Sequence, residues 1–277
     1  LTGIDYLRYR FWEILPGAFS WATIIIAVVA SYFWPFYAAV FIIAFDVFWL
    51  LKTAYLSIHL KENWKRLKEH MNTDWVEKLK NFKYEHIYHM IMLPFYKEDE
   101  SIVEKTLLAL LESEYNPKKF IVVLAAEERA GQEPLVIASN MKKKYGKRFG
   151  HFLVTVHPDG IEGEIAGKGS NIAYAAERAR IEILDKYKIP YHEVLVSAFD
   201  IDTIVYKQYF ACLTWMFLAN EKPYNTSFQP VPVFNNNIFE APAVSRVVAF
   251  SGTFWQMVQQ ERQKRLATFS SHSIPFS

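Results

Sequence analysis

The chain has 277 residues, room for one α/β domain and a small appendage. Its 31 basic and 29 acidic residues leave a net charge of +2. They are interspersed rather than gathered into a basic stripe, so no nucleic-acid partner is expected. A single cysteine, Cys212, excludes an internal disulfide and suits a reducing compartment.

Residues 17–34 carry no charge, and residues 36–58 carry only Asp46 and Lys52. Each run is near the roughly 20 residues a helix needs to cross a bilayer. Two adjacent runs of this length predict a transmembrane hairpin over residues 1–58, with a buried core hairpin as the alternative. No small-residue cleavage site follows the first run, which argues against a signal peptide. Arg8 and Arg10 precede the hairpin; Lys52, Lys61, Lys65, Arg66 and Lys68 lie at or beyond its end, while the connecting SYFWPFY has no basic residue. Both ends are therefore expected on the cytosolic side of a plasma or inner membrane. Pro35 ends the first helix. Asp46 falls near mid-membrane, where a carboxylate is costly without a partner.

Residues 59–85 read as an interfacial helix or linker. Leu60, Trp64, Leu67, Met71, Trp75, Leu79 and Phe82 recur at steps of three or four, giving one apolar helical face. That face can lie in the membrane interface or pack on the domain that follows.

From residue 86 to 277 the pattern is that of an α/β domain. HIYHMIML (86–93), FIVVLAA (120–126), FLVTV (152–156) and EVLVSAF (193–199) are short apolar runs suited to strands buried on both faces. Helical stretches at 101–114 and 169–187 alternate with them, so a parallel sheet with covering helices is expected. In such sheets ligands bind beyond the carboxyl ends of the strands. There the chain places Pro94-Phe95-Tyr96-Lys97-Glu98, Glu127-Glu128-Arg129, His157-Pro158-Asp159 and Asp200-Ile201-Asp202.

Asp200 and Asp202 can hold a hard divalent cation that bridges phosphate oxygens, or can form a solvated turn with a helix cap. GEIAGKGSN (163–171) precedes a helix, so its backbone N–H groups and Lys168 suit a phosphate. It departs from a P-loop: three residues, not four, separate Gly163 and Gly167, and Gly169 follows the lysine. Tyr96 can stack on a base, and Glu98 can accept ribose hydroxyls. His86 and His89, three apart in a strand, point to opposite faces and do not share a metal. His157 reads as a structural histidine, and KKKYGKR (142–148) as a solvated helix end.

Taken in order, these segments resemble glycosyltransferase family 2, the group that includes cellulose, chitin and hyaluronan synthases. LPFYKEDES is similar to the opening P-x-Y-N-E segment, with Lys97 in place of Asn; VVLAAEERAG lies where the family has an Asp-rich strand end; GKGSN resembles its G-K-x-x-x-N element through Lys168 and Asn171, with one residue fewer between them; SAFDIDT resembles its D-x-D strand. The resemblance covers about residues 86–260 and implies a GT-A fold, Rossmann-like, with a mostly parallel sheet and helices on both faces. It implies inverting transfer of a sugar from a nucleotide sugar, UDP-linked by expectation, to a lipid- or polysaccharide-borne hydroxyl at the membrane. Tyr96, Glu98 and Glu127 would position the nucleoside, Lys168 would offset the diphosphate, and Asp200 and Asp202 would hold Mg²⁺ or Mn²⁺. The family's acidic motif with the general base does not occur before Ser277, so the catalytic base is expected beyond the chain's end and the chain is read as part of a longer protein. Residues 228–260 would line the acceptor side, with Trp255 either a sugar platform or a core residue. The alternatives are a membrane-anchored P-loop-like nucleotide-binding protein and a non-catalytic, degenerate transferase scaffold.

Overall fold

The computed structural model describes residues 3–235, 238–259 and 271–276. The chain forms two compact units, Leu1–Lys65 and Arg66–Ser277.

The first unit consists of α1 (Ile4–Phe33) and the greater part of α2 (Pro35–Asn72), with Trp34 between them. Trp34 closes the last turn of α1 by donating its N–H to Ala30 O at 2.8 Å. Pro35, which has no N–H to lose, then starts α2. Both helices are long and apolar enough to cross a membrane. In α1, the hydroxyls of Ser20, Thr23 and Ser31 each donate to the carbonyl four residues back, at 2.9, 2.8 and 2.7 Å. A helix in a medium without water needs this self-sufficiency. Side chains such as Ile26, Val28 and Phe41 are more than half exposed within the unit.

α2 shows no break where the sequence suggests one at 58–59, and its helix runs to Asn72. The stripe expected over 60–82 is therefore shared between two helices. Leu60, Trp64, Leu67 and Met71 belong to α2, while Trp75 and Leu79 belong to the short α3 (Trp75–Leu79). Asp74 starts α3 by accepting the Glu77 N–H at 3.0 Å. Trp75 and Leu79 are buried among the side chains of the second unit, so this end of the stripe packs on the domain.

The second unit is a mixed α/β domain. Its strands are β1 (Tyr88–Pro94), β2 (Phe120–Glu127), β3 (His151–His157), β4 (Val194–Ala198) and β5 (His272–Pro275). The sheet order is β3-β2-β1-β4-β5, parallel except for β5, which runs antiparallel to β4. The fold matches the mostly parallel sheet expected, with β5 as an addition. α4 (Glu100–Leu111) joins β1 to β2, α5 (Gln132–Tyr145) joins β2 to β3, and α6 (Lys168–Ala179) leads from β3 towards β4. α7 (Tyr209–Leu218) and α8 (Ala243–Gln259) follow β4.

The period of two sorts the strands into two cores. Ile91 and Leu93 of β1, with Phe120, Val122, Leu124 and Ala126 of β2, pack against α3, α4, α5 and α7. Met90 and Met92, with Ile121, Val123 and Ala125, pack against Ala175 and Ala179 of α6. All eight residues of β2 are buried, which is why that run reads as continuously apolar. His86 precedes β1, so only His89 lies in the strand. His89 is fully buried between Tyr115 and Phe210, with Nε2 2.9 Å from Thr214 Oγ1. Burial pushes its pKa down to about 3, so the imidazole is neutral. Gly150 is held by close packing: a Cβ there would sit 2.1 Å from Lys118 O.

Candidate functional site

The chain moves outward from β1 through β2 to β3, then returns to place β4 on the other side of β1. The direction of the connections therefore reverses between β1 and β4, and the crevice beyond their carboxyl ends is where an open parallel sheet binds a ligand. Asp200 and Asp202 follow β4 and Tyr96 follows β1 at this edge.

Backbone and side-chain bonds tie the strand ends together. The Ala125 carbonyl accepts the Phe95 N–H at 3.1 Å and the Asn171 Nδ2 amide at 2.8 Å, joining β1, β2 and the first turn of α6. Phe199 N–H donates to Met92 O at 3.1 Å and carries β4 past β1. Between the two aspartates, Ile201 is buried, and its carbonyl accepts the Thr106 hydroxyl of α4. The turn closes with Thr203 N–H on Asp200 O at 3.0 Å. A hydrophobic anchor flanked by two carboxylates thus fixes the D-x-D segment to the core while leaving its acids at the rim.

Lys168 is the first residue of α6, and its ammonium is bonded to Asp200 Oδ1. The pair is partly exposed, at 35% and 45% of the side chains. It brings the glycine-rich loop and the D-x-D turn to one point. The N-terminal end of α6 adds a partial positive charge there. Gly160 and Gly163 in the preceding loop have φ of 73° and 84°, conformations that favour glycine.

A second cluster lies where β1, β2 and β3 end. Glu127 is buried at the close of β2 and accepts a hydrogen bond from Arg129 Nε on Oε2. This bond holds the guanidinium even more firmly protonated. The same guanidinium lies 5.1 Å from the centre of the Tyr96 ring, within cation–π range. Glu127 and Arg129 line a cleft of about 110 Å³ together with His157, Asp159 and Glu164. His157 Nε2 is 3.0 Å from Glu164 Oε2, and its ring meets Tyr174 edge-on at 5.2 Å, so it is a satisfied structural histidine. Glu128 accepts the Asp159 N–H at 3.0 Å and fastens that loop to β2.

Glu98 bonds to the backbone of the loop after β1. Its Oε2 accepts the N–H groups of Tyr96 and Lys97, at 2.7 and 3.1 Å, and so shapes the loop after β1. Trp255 is about half exposed on α8, whereas Thr253, Gln256 and Met257 of the same helix are buried, so the ring is not a core residue. The segment read as the acceptor side includes residues 236, 237 and 260, which lie outside the described residues. Arg129 is placed by the sequence at the strand end but without a role. A basic side chain two positions after a buried strand-end acid was its only signal.

Among the described residues, no three His, Cys, Asp or Glu side chains converge as a metal site. The D-x-D turn nevertheless suits a hard divalent cation. Mg²⁺ and Mn²⁺ prefer oxygen donors, and Mg²⁺ is commonly held by one or two carboxylates with substrate phosphates completing the shell.

No protein-family profile and no curated protein matches the chain. Among solved structures, it is similar to a mannosyltransferase from Pyrobaculum calidifontis, solved in complex with GDP-mannose and Mn²⁺. The identity is 15% and the TM-score 0.43, over 82% of this chain and 54% of that one. It is also similar to TarS residues 1–349 of S. aureus, at 14% identity and a TM-score of 0.33, over 55% of this chain and 44% of that one. The chain thus spans about half the length of the solved structures it matches.

Proposed function

We propose that the protein is a membrane-anchored glycosyltransferase of the family 2 type, taking a nucleotide-diphosphate sugar as donor and a lipid- or polysaccharide-borne hydroxyl as acceptor. The observation that carries the reading is the Lys168–Asp200 pair at the reversal point of the sheet, two residues before Asp202. A cation, a helix N-terminus and two acids at one rim are what a diphosphate and a bridging metal need. The order of the four sequence elements supports the same reading.

In an inverting transfer the acceptor hydroxyl gives its proton to a general base as its oxygen attacks the anomeric carbon, and the bond from that carbon to the diphosphate breaks. Negative charge then builds on the leaving nucleoside diphosphate. Lys168 and the N-terminal end of α6 would offset that charge. Asp200 and Asp202 would hold Mg²⁺ or Mn²⁺, which supplies electrostatic stabilisation of the same diphosphate. Tyr96 and Glu127 hold the nucleoside end, and Glu98 keeps the loop bearing Tyr96 in shape. The two N-terminal helices keep this chemistry at a membrane, on the cytosolic face.

Binding of UDP and GDP to the detergent-purified chain, with and without Mn²⁺, tests the proposal. Asp202→Ala should weaken the Mn²⁺-dependent binding about tenfold or more, the scale of a lost charge-assisted contact. Unchanged binding in that variant would remove the metal assignment, and preference for ATP would favour the P-loop alternative.

A further inference from the structure

The D-x-D turn is fastened on both sides of Asp202. On the near side, buried Ile201 gives its carbonyl to the Thr106 hydroxyl of α4. On the far side, Tyr206 donates its hydroxyl to Met71 O at 2.9 Å. Met71 lies in the last turn of α2, the helix that starts at Pro35 and is long and apolar enough to cross a membrane. Asp202 therefore sits between a bond to the core and a bond to the end of that long helix.

Gln208 reinforces the far side. Its Oε1 accepts the Trp75 N–H at 2.7 Å, a donor that the start of α3 leaves without an intrahelical partner. Its Nε2 donates to Glu114 Oε2 at 2.7 Å and to Asp74 Oδ1 at 3.3 Å. Glu114 returns its own N–H to Lys207 O at 2.7 Å. The Trp75 indole N–H donates to His70 O at 2.7 Å, which bonds α3 back to α2. Three consecutive residues, Tyr206 to Gln208, are thus bonded to the corner between α2 and α3 or to the residue that follows α4. Tyr206 is about half exposed, so its hydroxyl can be removed without opening the core.

We infer that Tyr206 and Gln208 are positioning residues for Asp202, anchoring the downstream end of its turn to the α2–α3 corner. The inference rests on the nucleotide-sugar reading of the site. A small hard cation demands near-ideal ligand geometry. A site ligand held about 1 Å too loosely is present but ineffective. Asp200 does not depend on this anchor, because β4 leads into it, Ile201 is bonded to Thr106, and Lys168 holds its carboxylate. Without the anchor Asp202 drifts while Lys168 still meets the diphosphate. The defect then lies in the metal requirement and not in metal-free binding.

The test is binding of UDP and GDP to the full chain in detergent across a Mn²⁺ titration, with an EDTA control. Tyr206→Phe should raise the Mn²⁺ concentration for half-maximal nucleotide binding about threefold or more, the scale of one neutral hydrogen bond. Its binding in EDTA and its melting temperature should match those of the unaltered protein. Gln208→Met should raise the Mn²⁺ requirement in the same direction; if it also lowers the melting temperature, Tyr206→Phe alone decides. In an Asp202→Ala background Tyr206→Phe should add nothing further, because the two changes act through one group and do not add. An equal further loss in that background would make Tyr206 a support of the fold, and the inference would fall. An unchanged Mn²⁺ requirement in Tyr206→Phe would overturn it too, and leave the transferase reading intact. No Mn²⁺-dependent binding of either nucleotide by the unaltered protein overturns the transferase reading with it.

Discussion

Lys168 and Asp200, 32 residues apart in sequence, bond side chain to side chain across the carboxyl edge of the sheet. The contact sets two ligands in competition. A divalent cation arriving alone must share Asp200 with an ammonium, whereas a cation arriving with a diphosphate gives Lys168 an anion to move to.

Removing the lysine should therefore act in opposite directions on the two ligands. Lys168→Ala is expected to bind Mn²⁺ alone a few-fold more tightly. It should bind UDP with Mn²⁺ about tenfold or more weakly, since hydrogen bonds to charged groups contribute about 1.5–3 kcal/mol. Calorimetric titration of the detergent-purified protein with each ligand measures both. Parallel losses would mean that the pair holds the fold and not the ligand.

Gly150 precedes β3 and packs against the backbone of residue 118. A methyl group there meets a carbonyl that cannot yield as a side chain would. Gly150→Ala should cost about 1–3 kcal/mol, the usual scale of overpacking. Each kcal/mol lowers the melting temperature of a domain of this size by about 2–4 °C. A thermal melt unchanged within about 1 °C would contradict the close approach.

The buried imidazole of His89 predicts an acid-sensitive fold. Its folded pKa of about 3 lies below the ordinary value of 6.5, so below pH 6.5 the unfolded chain binds a proton that the folded chain does not. The stabilisation is thus complete above pH 6.5 and is lost as pH falls towards 3, at about 1.4 kcal/mol per pH unit from this one group. Urea midpoints at pH 7.5, 6.0 and 5.0 should decline faster in the native protein than in His89→Leu, which has no group to charge. Equal slopes would show that the ring is protonated where it lies.

Orientation in the membrane can be read by cysteine labelling. Burial pushes the Cys212 thiol up to about 12, which keeps its own background low. With a membrane-impermeant maleimide applied to intact cells, Trp34→Cys in the turn between α1 and α2 should be labelled, and His59→Cys should not. The reverse pattern would place the domain on the outer side.

Much of the architecture could be read from the residues because β1, β2 and β4 are buried on both faces and so appear as short, largely apolar runs. Their carboxyl ends then gathered the polar candidates without further information. β5 was not legible. HSIP has neither length nor alternation, and becomes a strand through pairing with β4 and the contact of Ser273 Oγ with Ser197 Oγ at 2.7 Å. α7 escaped for the opposite reason: YFACLTWMFL is apolar nearly all round, so no amphipathic period announces it, although Phe210, Leu213 and Phe217 are what it buries. The role of Glu98 in the loop after β1 and the bond of Arg129 to Glu127 depend on where side chains turn, which spacing does not encode.

β5 has one more effect. By covering the outer side of β4 it removes a row of open backbone donors and acceptors from the strand that leads into the D-x-D turn. Any shortened version ending before residue 271 would offer that row to strands of other molecules, and open strand edges drive self-association. Such a version would be expected to precipitate, and its loss of ligand binding would then report clumping of the protein instead of damage to the site.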